Sequence, residues 1–263
     1  MEIENISYKK KNKGGRFFFF VLTIACVGLC VLVSHFFASV ITTGSVNFSN
    51  FSPIAKSSYN FYAVSLGAYA TKTQAEEYAT TCRAKNAAGF VWKKNGKYYV
   101  LASVYAKKND ADSVVSNLTT ASFTPEIVEI SIEKSNFSKA SNNNLKKEYA
   151  NFIENYIDIY TKLYDISVSL DTSVYTVNKA RIEIDAAKTT FKTKLEKLNN
   201  GSSSSDGIYY LLLKNSGENI VEELSSLVEY DETATYPLGA KIKNYYITVL
   251  DEMASVISNI EES

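Results

Sequence analysis

The chain has 263 residues, 28 Lys+Arg against 28 Asp+Glu, and 46% hydrophobic with 21% charged residues. That length allows more than one core, and the apolar share excludes a disordered chain. The charge balance lacks the basic excess of a nucleic-acid binder.

From Phe17 to Ser34 no residue is charged, and the apolar run continues past His35 through Phe36, Phe37, Ala38, Val40 and Ile41. Such a run is long enough to cross a bilayer as a helix. The expectation is a single transmembrane helix over 17–41 in the cell membrane. Lys9, Lys10, Lys11, Lys13 and Arg16 precede it, whereas Thr42 to Asn60 holds only Lys56. This asymmetry makes residues 1–16 a cytoplasmic basic tail and exports the remainder. A cleaved secretory signal is the competing reading, and it exports the remainder equally. Cys26 and Cys30 lie inside the run, which leaves Cys82 alone outside, so no intrachain disulfide is expected. Residues 42–58 read as a linker.

An internal repeat follows. A shift of 36 positions aligns Tyr62, Val64, Tyr69, Ala70, Lys72 and Ala75 with Tyr98, Val100, Tyr105, Ala106, Lys108 and Ala111. Each copy opens on a β-rich run, Phe61 to Leu66 or Lys97 to Val104. A helix-compatible stretch comes next, with Thr73 capping the first and Asn109 or Asp110 the second. Further strands are expected at Phe90 to Lys94 and Glu126 to Ile132, and Asn95-Gly96 between the copies suits a two-residue type I′ hairpin. The order βαββαβ over 59–133 describes a ferredoxin-like sandwich with two helices on one sheet face and the other face open. By strand alternation Phe61, Ala63, Ser65, Lys97, Tyr99, Leu101 and Ser103 point to the open face, and Trp92 joins them. Aromatic platforms beside small polar side chains suit a sugar or an extended polymer. A merely solvated face with scattered aromatics fits the same pattern, because the chain holds 19 tyrosines.

The stretch Asn60-Phe61-Tyr62-Ala63-Val64-Ser65-Leu66-Gly67-Ala68-Tyr69 resembles the first strand of the SPOR (sporulation-related repeat) family. Tyr98-Tyr99-Val100-Leu101-Ala102-Ser103-Val104-Tyr105 resembles its second half, Ala75 falls where the family usually has alanine, and Asp110-Ala111-Asp112 resembles its helix start. The resemblance implies binding to peptidoglycan glycan strands through the open sheet face, at the cell wall during division or sporulation. It therefore implies Phe61, Ser65, Trp92, Tyr99 and Leu101 as glycan-binding residues. Two departures stand out. Ser65 occupies the usual glutamine position, and Ser103-Val104 replaces the second Gly-Pro.

After a polar stretch, 134–144, read as a second linker, Tyr149, Phe152, Tyr156, Ile159, Leu163, Ile166 and Leu170 follow alternating 3-4 spacing. Three more apolar stripes follow, through Ala180 to Leu198, Tyr210 to Leu227 and Leu238 to Ile260. The expectation for 145–263 is an antiparallel four-helix bundle. It carries 12 Lys+Arg against 19 Asp+Glu, a net of −7. An acidic, heptad-patterned surface also permits docking of a protein partner. The whole chain is thus α+β: an N-terminal transmembrane helix, a SPOR-like domain and a helical bundle.

Chemistry is harder to place. The only histidine, His35, sits at the membrane boundary, so a Ser-His or Cys-His pair has no base. A His or Cys metal site lacks ligands, and no glycine-rich phosphate loop occurs, so no metal or cofactor is expected. The adjacent pairs Glu76/Glu77, Glu222/Glu223, Asp231/Glu232 and Asp251/Glu252 would project to different helix faces, and no enzyme is expected. The leading reading is an anchored, extracytoplasmic peptidoglycan binder. The alternative is a membrane scaffold whose bundle binds a protein partner.

Overall fold

The computed structural model describes residues 58–262, except 121–122, 136, 139, 141–142, 202–206 and 232–235. The expected basic tail and membrane helix (1–41) lie outside the described residues. Among the described residues no helix is long and apolar enough to cross a membrane.

Four strands, β1 (Ser58–Tyr69), β2 (Phe90–Lys94), β3 (Lys97–Tyr105) and β4 (Glu126–Glu133), form one antiparallel sheet in the order β2-β3-β1-β4. Helix α1 (Lys72–Ala84) joins β1 to β2, and α2 (Lys108–Thr120) joins β3 to β4. The duplication is visible in the register. Tyr62 pairs with Tyr105 and Tyr69 with Tyr98, while Ala63 pairs with Val104 and Ala68 with Tyr99. Shifting one partner forward and the other back by the repeat length turns each pair into the other, as a two-fold axis between β1 and β3 requires. Ser65 and Leu101 pair at the axis, and the register slips on either side of them. One slip places an extra residue on β3 at Ala102, the other on β1 at Leu66 or Gly67.

Local signals explain the elements. Asn95 and Gly96 have φ of 50° and 75°, which the type I′ hairpin demands. Helix α1 is capped by Thr71, whose side chain accepts from the Gln74 amide, so the cap lies two residues before the expected Thr73. Helix α2 begins at Lys108, just ahead of the expected Asn109 or Asp110. Ala75, Ala79 and Cys82 of α1 pack on Val100, and Ala111 and Val114 of α2 pack on Val64 and Tyr105.

The bundle comprises α3 (Asn143–Asp171), α4 (Val177–Gly201), α5 (Gly207–Val228) and α6 (Leu238–Glu262). In α3 the expected stripe is buried from Tyr149 through Phe152, Tyr156, Ile159 and Leu163 to Ile166, and its last member, Leu170, is half-buried. Phe152 and Tyr156 both meet Phe191 of α4, and Lys162 pairs with Glu183 at 2.6 Å, so α3 and α4 run antiparallel. Gly217 admits the close approach of α5, since a Cβ there would lie 2.8 Å from Leu195 and 3.1 Å from Phe152. The polar stretch before α3 is more than a spacer. Its Phe137 is buried between Tyr149 and Tyr209 as a plug in the bundle core.

One expectation needs correction. The far face of the sheet is not open, because α3 and α6 lie across it. Helix α3 buries a second stripe, Ile153, Ile157 and Tyr160, and α6 buries Lys243, Tyr246, Leu250 and Ile257 beside its expected stripe. A single apolar core therefore runs from Phe61, Leu101 and Ile130 in the sheet through both helices to α4 and α5. The order of layers is α1 and α2, the sheet, α3 with α6, then α4 with α5.

The seam between sheet and bundle includes a buried ion pair. Lys243 of α6 and Asp171 of α3 meet at 2.6 Å with their side chains 5% and 4% exposed. A carboxylate at a helix C-terminus faces the negative end of the helix dipole, so Asp171 depends on such partners. Removing one member of a buried pair leaves an uncompensated charge, whereas replacing both with apolar groups is often near neutral. Lys243→Met should therefore lower stability by about 3–5 kcal/mol in urea melts, and Lys243→Met with Asp171→Leu should recover most of it. A single-variant loss within the scatter of surface substitutions would contradict this account.

Burial also holds the phenols of Tyr105, Tyr156, Tyr160, Tyr164, Tyr245 and Tyr246 above their ordinary pKa of 10.0. The fold keeps them neutral while the unfolded chain releases their protons near 10, so their stabilisation is complete below that pH and is lost above it. Alkaline titration followed by phenolate absorbance and circular dichroism should show these tyrosines ionising together with loss of helicity. Smooth ionisation with helicity retained would refute it.

Candidate functional site

The site expected from sequence is the sheet face formed by β1 and β3 with β2 at its edge. Phe61, Ser65 and Leu101 do share that face, and all are covered, with exposures of 1%, 0% and 0%. Trp92 pairs with Tyr99 across β2 and β3, and both remain half-buried at the margin of the same core. Phe90 adjoins Trp92 with ring centroids 6.1 Å apart. The structure thus separates the five into a buried trio and an aromatic margin, Trp92 on the edge strand β2 and Tyr99 beside it on β3.

Ser103 lies elsewhere. The extra residue at Ala102 turns Ser103 to pair with Val64 on the α2 side, where its hydroxyl donates to the Tyr105 hydroxyl at 2.9 Å. Simple alternation fails there because a bulge inverts the facing of every residue beyond it. Ser65 keeps its facing, but its hydroxyl is engaged locally. It donates to the Gly67 carbonyl at 3.0 Å and accepts from the Gly67 amide at 3.3 Å.

Tyr160 of α3 occupies the ground above Phe61. Its ring meets Phe61 edge-on at 5.2 Å, its hydroxyl donates to the Val104 carbonyl at 3.0 Å, and Tyr246 of α6 packs against it at 5.6 Å. Complete burial pushes the Tyr160 and Tyr246 phenols well above their usual pKa, so both stay neutral. At one end of the seam, Tyr59 donates to Glu154 at 2.6 Å while Lys134 lies 4.4 Å over the Tyr59 ring. At the other end the loop after α1 is clamped. Asn86 donates its amide to Asp171 at 2.8 Å, Lys243 donates to the Asn86 carbonyl at 2.9 Å, and Asn244 donates to the Ala88 carbonyl at 3.0 Å. Asn86 has a φ of 65°, and its side-chain oxygen is buried with no hydrogen-bond partner among the described residues. Gly239 gives it room, since a Cβ there would lie 2.6 Å from that oxygen.

Sequence reasoning missed Tyr160, Tyr246, Lys243 and Asn86. A signal was present: Ile153, Ile157, Tyr160 and Tyr164 make a second apolar stripe at 4-3-4 spacing on α3, so this helix has two partners. Lys243, set among apolar residues of α6, was another.

Chemically the margin offers the half-exposed ring surface of Phe90, Trp92 and Tyr99. Among the described residues no group of three His, Cys, Asp or Glu side chains is arranged to hold a metal ion.

No curated protein matches the chain. Among solved structures, the solution structure of the peptidoglycan binding domain of the B. subtilis cell wall lytic enzyme CwlC is similar at 28% identity, covering 28% of this chain and 95% of that one, with a TM-score of 0.25. The SPOR domain family model matches residues 58–130, and the duplicated βαββαβ unit is a SPOR domain.

Proposed function

We propose that the SPOR domain binds glycan strands of peptidoglycan, and that the chain is a non-catalytic, membrane-tethered protein of the cell envelope acting outside the cytoplasm in wall synthesis, division or sporulation. The observation that carries this reading is the SPOR match over residues 58–130. The half-exposed Trp92 and Tyr99 supply ring faces of the kind that pack on sugars. The apolar segment at 17–41 and the basic residues before it are the grounds for the tether and its orientation.

A second reading has its own support. Phe61, Ser65 and Leu101 lie under α3 and α6, and the Ser65 hydroxyl is held by Gly67. A sheet so covered also serves as a packing platform, in which case the bundle is the working part and docks a protein partner. The outer seam of α3 and α4, lined by Asn155, Phe191 and Lys194, is where such a partner has a concave surface to meet.

Co-sedimentation of the full chain with purified sacculi, with and without stem peptides, separates the two. Under the first reading the chain is retained, and Trp92→Ala or Tyr99→Ala each weakens retention by about 3–10-fold, the value of one aromatic contact. Absence of retention on both preparations, with folding intact, would leave the scaffold reading.

A further inference from the structure

Two occupants have a claim on one face of the sheet. The proposed glycan needs the surface of β1 and β3, and α3 with α6 fills it. Resting on the peptidoglycan reading, we infer that the bundle is a displaceable cover over the glycan-binding face, with Lys243, Asp171 and Asn86 as its latch.

Tyr160 makes the contacts a sugar ring would make. It sets a ring against Phe61 and gives a hydroxyl hydrogen bond to the Val104 carbonyl, 3.0 Å away. A pyranose presents the same pair of features, an apolar face and peripheral hydroxyls, so the helix competes by similar chemistry. The cover can leave without dissolving the bundle. The stripe of α3 that meets α4 and α5, Phe152, Tyr156, Ile159 and Leu163, is distinct from the stripe that meets the sheet. The latch is also poor glue for its area. Lys243 and Asp171 are held almost fully out of water, and the Asn86 side-chain oxygen gains no partner in exchange. These groups are rehydrated when the seam opens, which offsets part of the apolar burial lost. Trp92 of the edge strand β2 and its partner Tyr99 of β3, both half-buried, are where a glycan first lands while the cover is closed.

The chain contains one tryptophan, Trp92, at the margin of the cover, so opening reports itself in fluorescence. Two full-chain variants test the idea. Lys243→Glu sets like charges at the latch and should raise acrylamide quenching of Trp92 and tighten sacculus binding by about a hundredfold or more, because the closed state that depends on this pair outweighs the open one by at least that factor. Ala88→Cys with Asn244→Cys, oxidised, ties the loop to α6. It should bind sacculi about tenfold more weakly than the same protein after reduction. Equal retention of the oxidised and reduced forms overturns the cover while leaving peptidoglycan binding intact. Increased quenching in Lys243→Glu with no retention of any form overturns peptidoglycan binding instead.

Discussion

The contact of Tyr160 with Phe61 and the Val104 carbonyl is the point on which the architecture turns. A four-stranded sheet has two faces, and here both are apolar. Val64, Val100 and Ile127 look toward α1 and α2, while Phe61, Ala63, Leu101, Val104, Val128 and Ile130 look the other way. A patch of the second kind does not rest in water without a partner. The chain carries its own in α3 and α6, and every other feature of the bundle follows from their having two faces to satisfy. Helices α4 and α5 then cover the outer stripes, which is why each of them needs only one.

The duplication accounts for the centre of the sheet and for its vulnerability. The slips in register flank the Ser65 and Leu101 pair, so the two halves remain related by the axis even where regular pairing fails. At that point Ser65 folds its hydroxyl back onto Gly67. A longer polar side chain at this position would have had to find room beneath the bundle or leave a donor unsatisfied, which is costly in a dry seam. Serine in place of the family's usual glutamine and the presence of a cover are thus mutually consistent.

Much of this was legible in the residues. The repeat, the Asn95-Gly96 hairpin and the α3 stripe each rest on local rules of spacing and turn chemistry, and each appears where those rules put it. The cap of α1 moved because Thr71 with Gln74 offers the same box as Thr73 with Glu76, and sequence alone does not rank them. The docking of bundle on sheet is a different kind of fact. Alternation reveals that a strand has two faces and not what covers each. The clue was in β4, where Val128, Ile130 and Ile132 are buried against the bundle while Glu129, Ser131 and Glu133 stay exposed on the helix side. That strand is more apolar on the side assumed to be open.

Apolar burial alone would not say where the bundle must stop on the sheet. Helices α3 and α6 present rows of aliphatic and aromatic side chains, and a shift by one helical turn, about 5.4 Å, exchanges one row position for another at little cost. The Lys243 and Asp171 pair removes that freedom. In any other register the ammonium would lose the Asn86 carbonyl, the carboxylate would lose the Asn86 amide, and Gly239 would no longer face the crowded Asn86 side chain. A buried charge pair adds little net stability over an apolar substitute, but it penalises misplacement heavily. The loop after α1 consequently serves as the index mark that sets Tyr160 over Phe61. The placement of the cover is determined at its polar end, and its energy comes from the apolar middle.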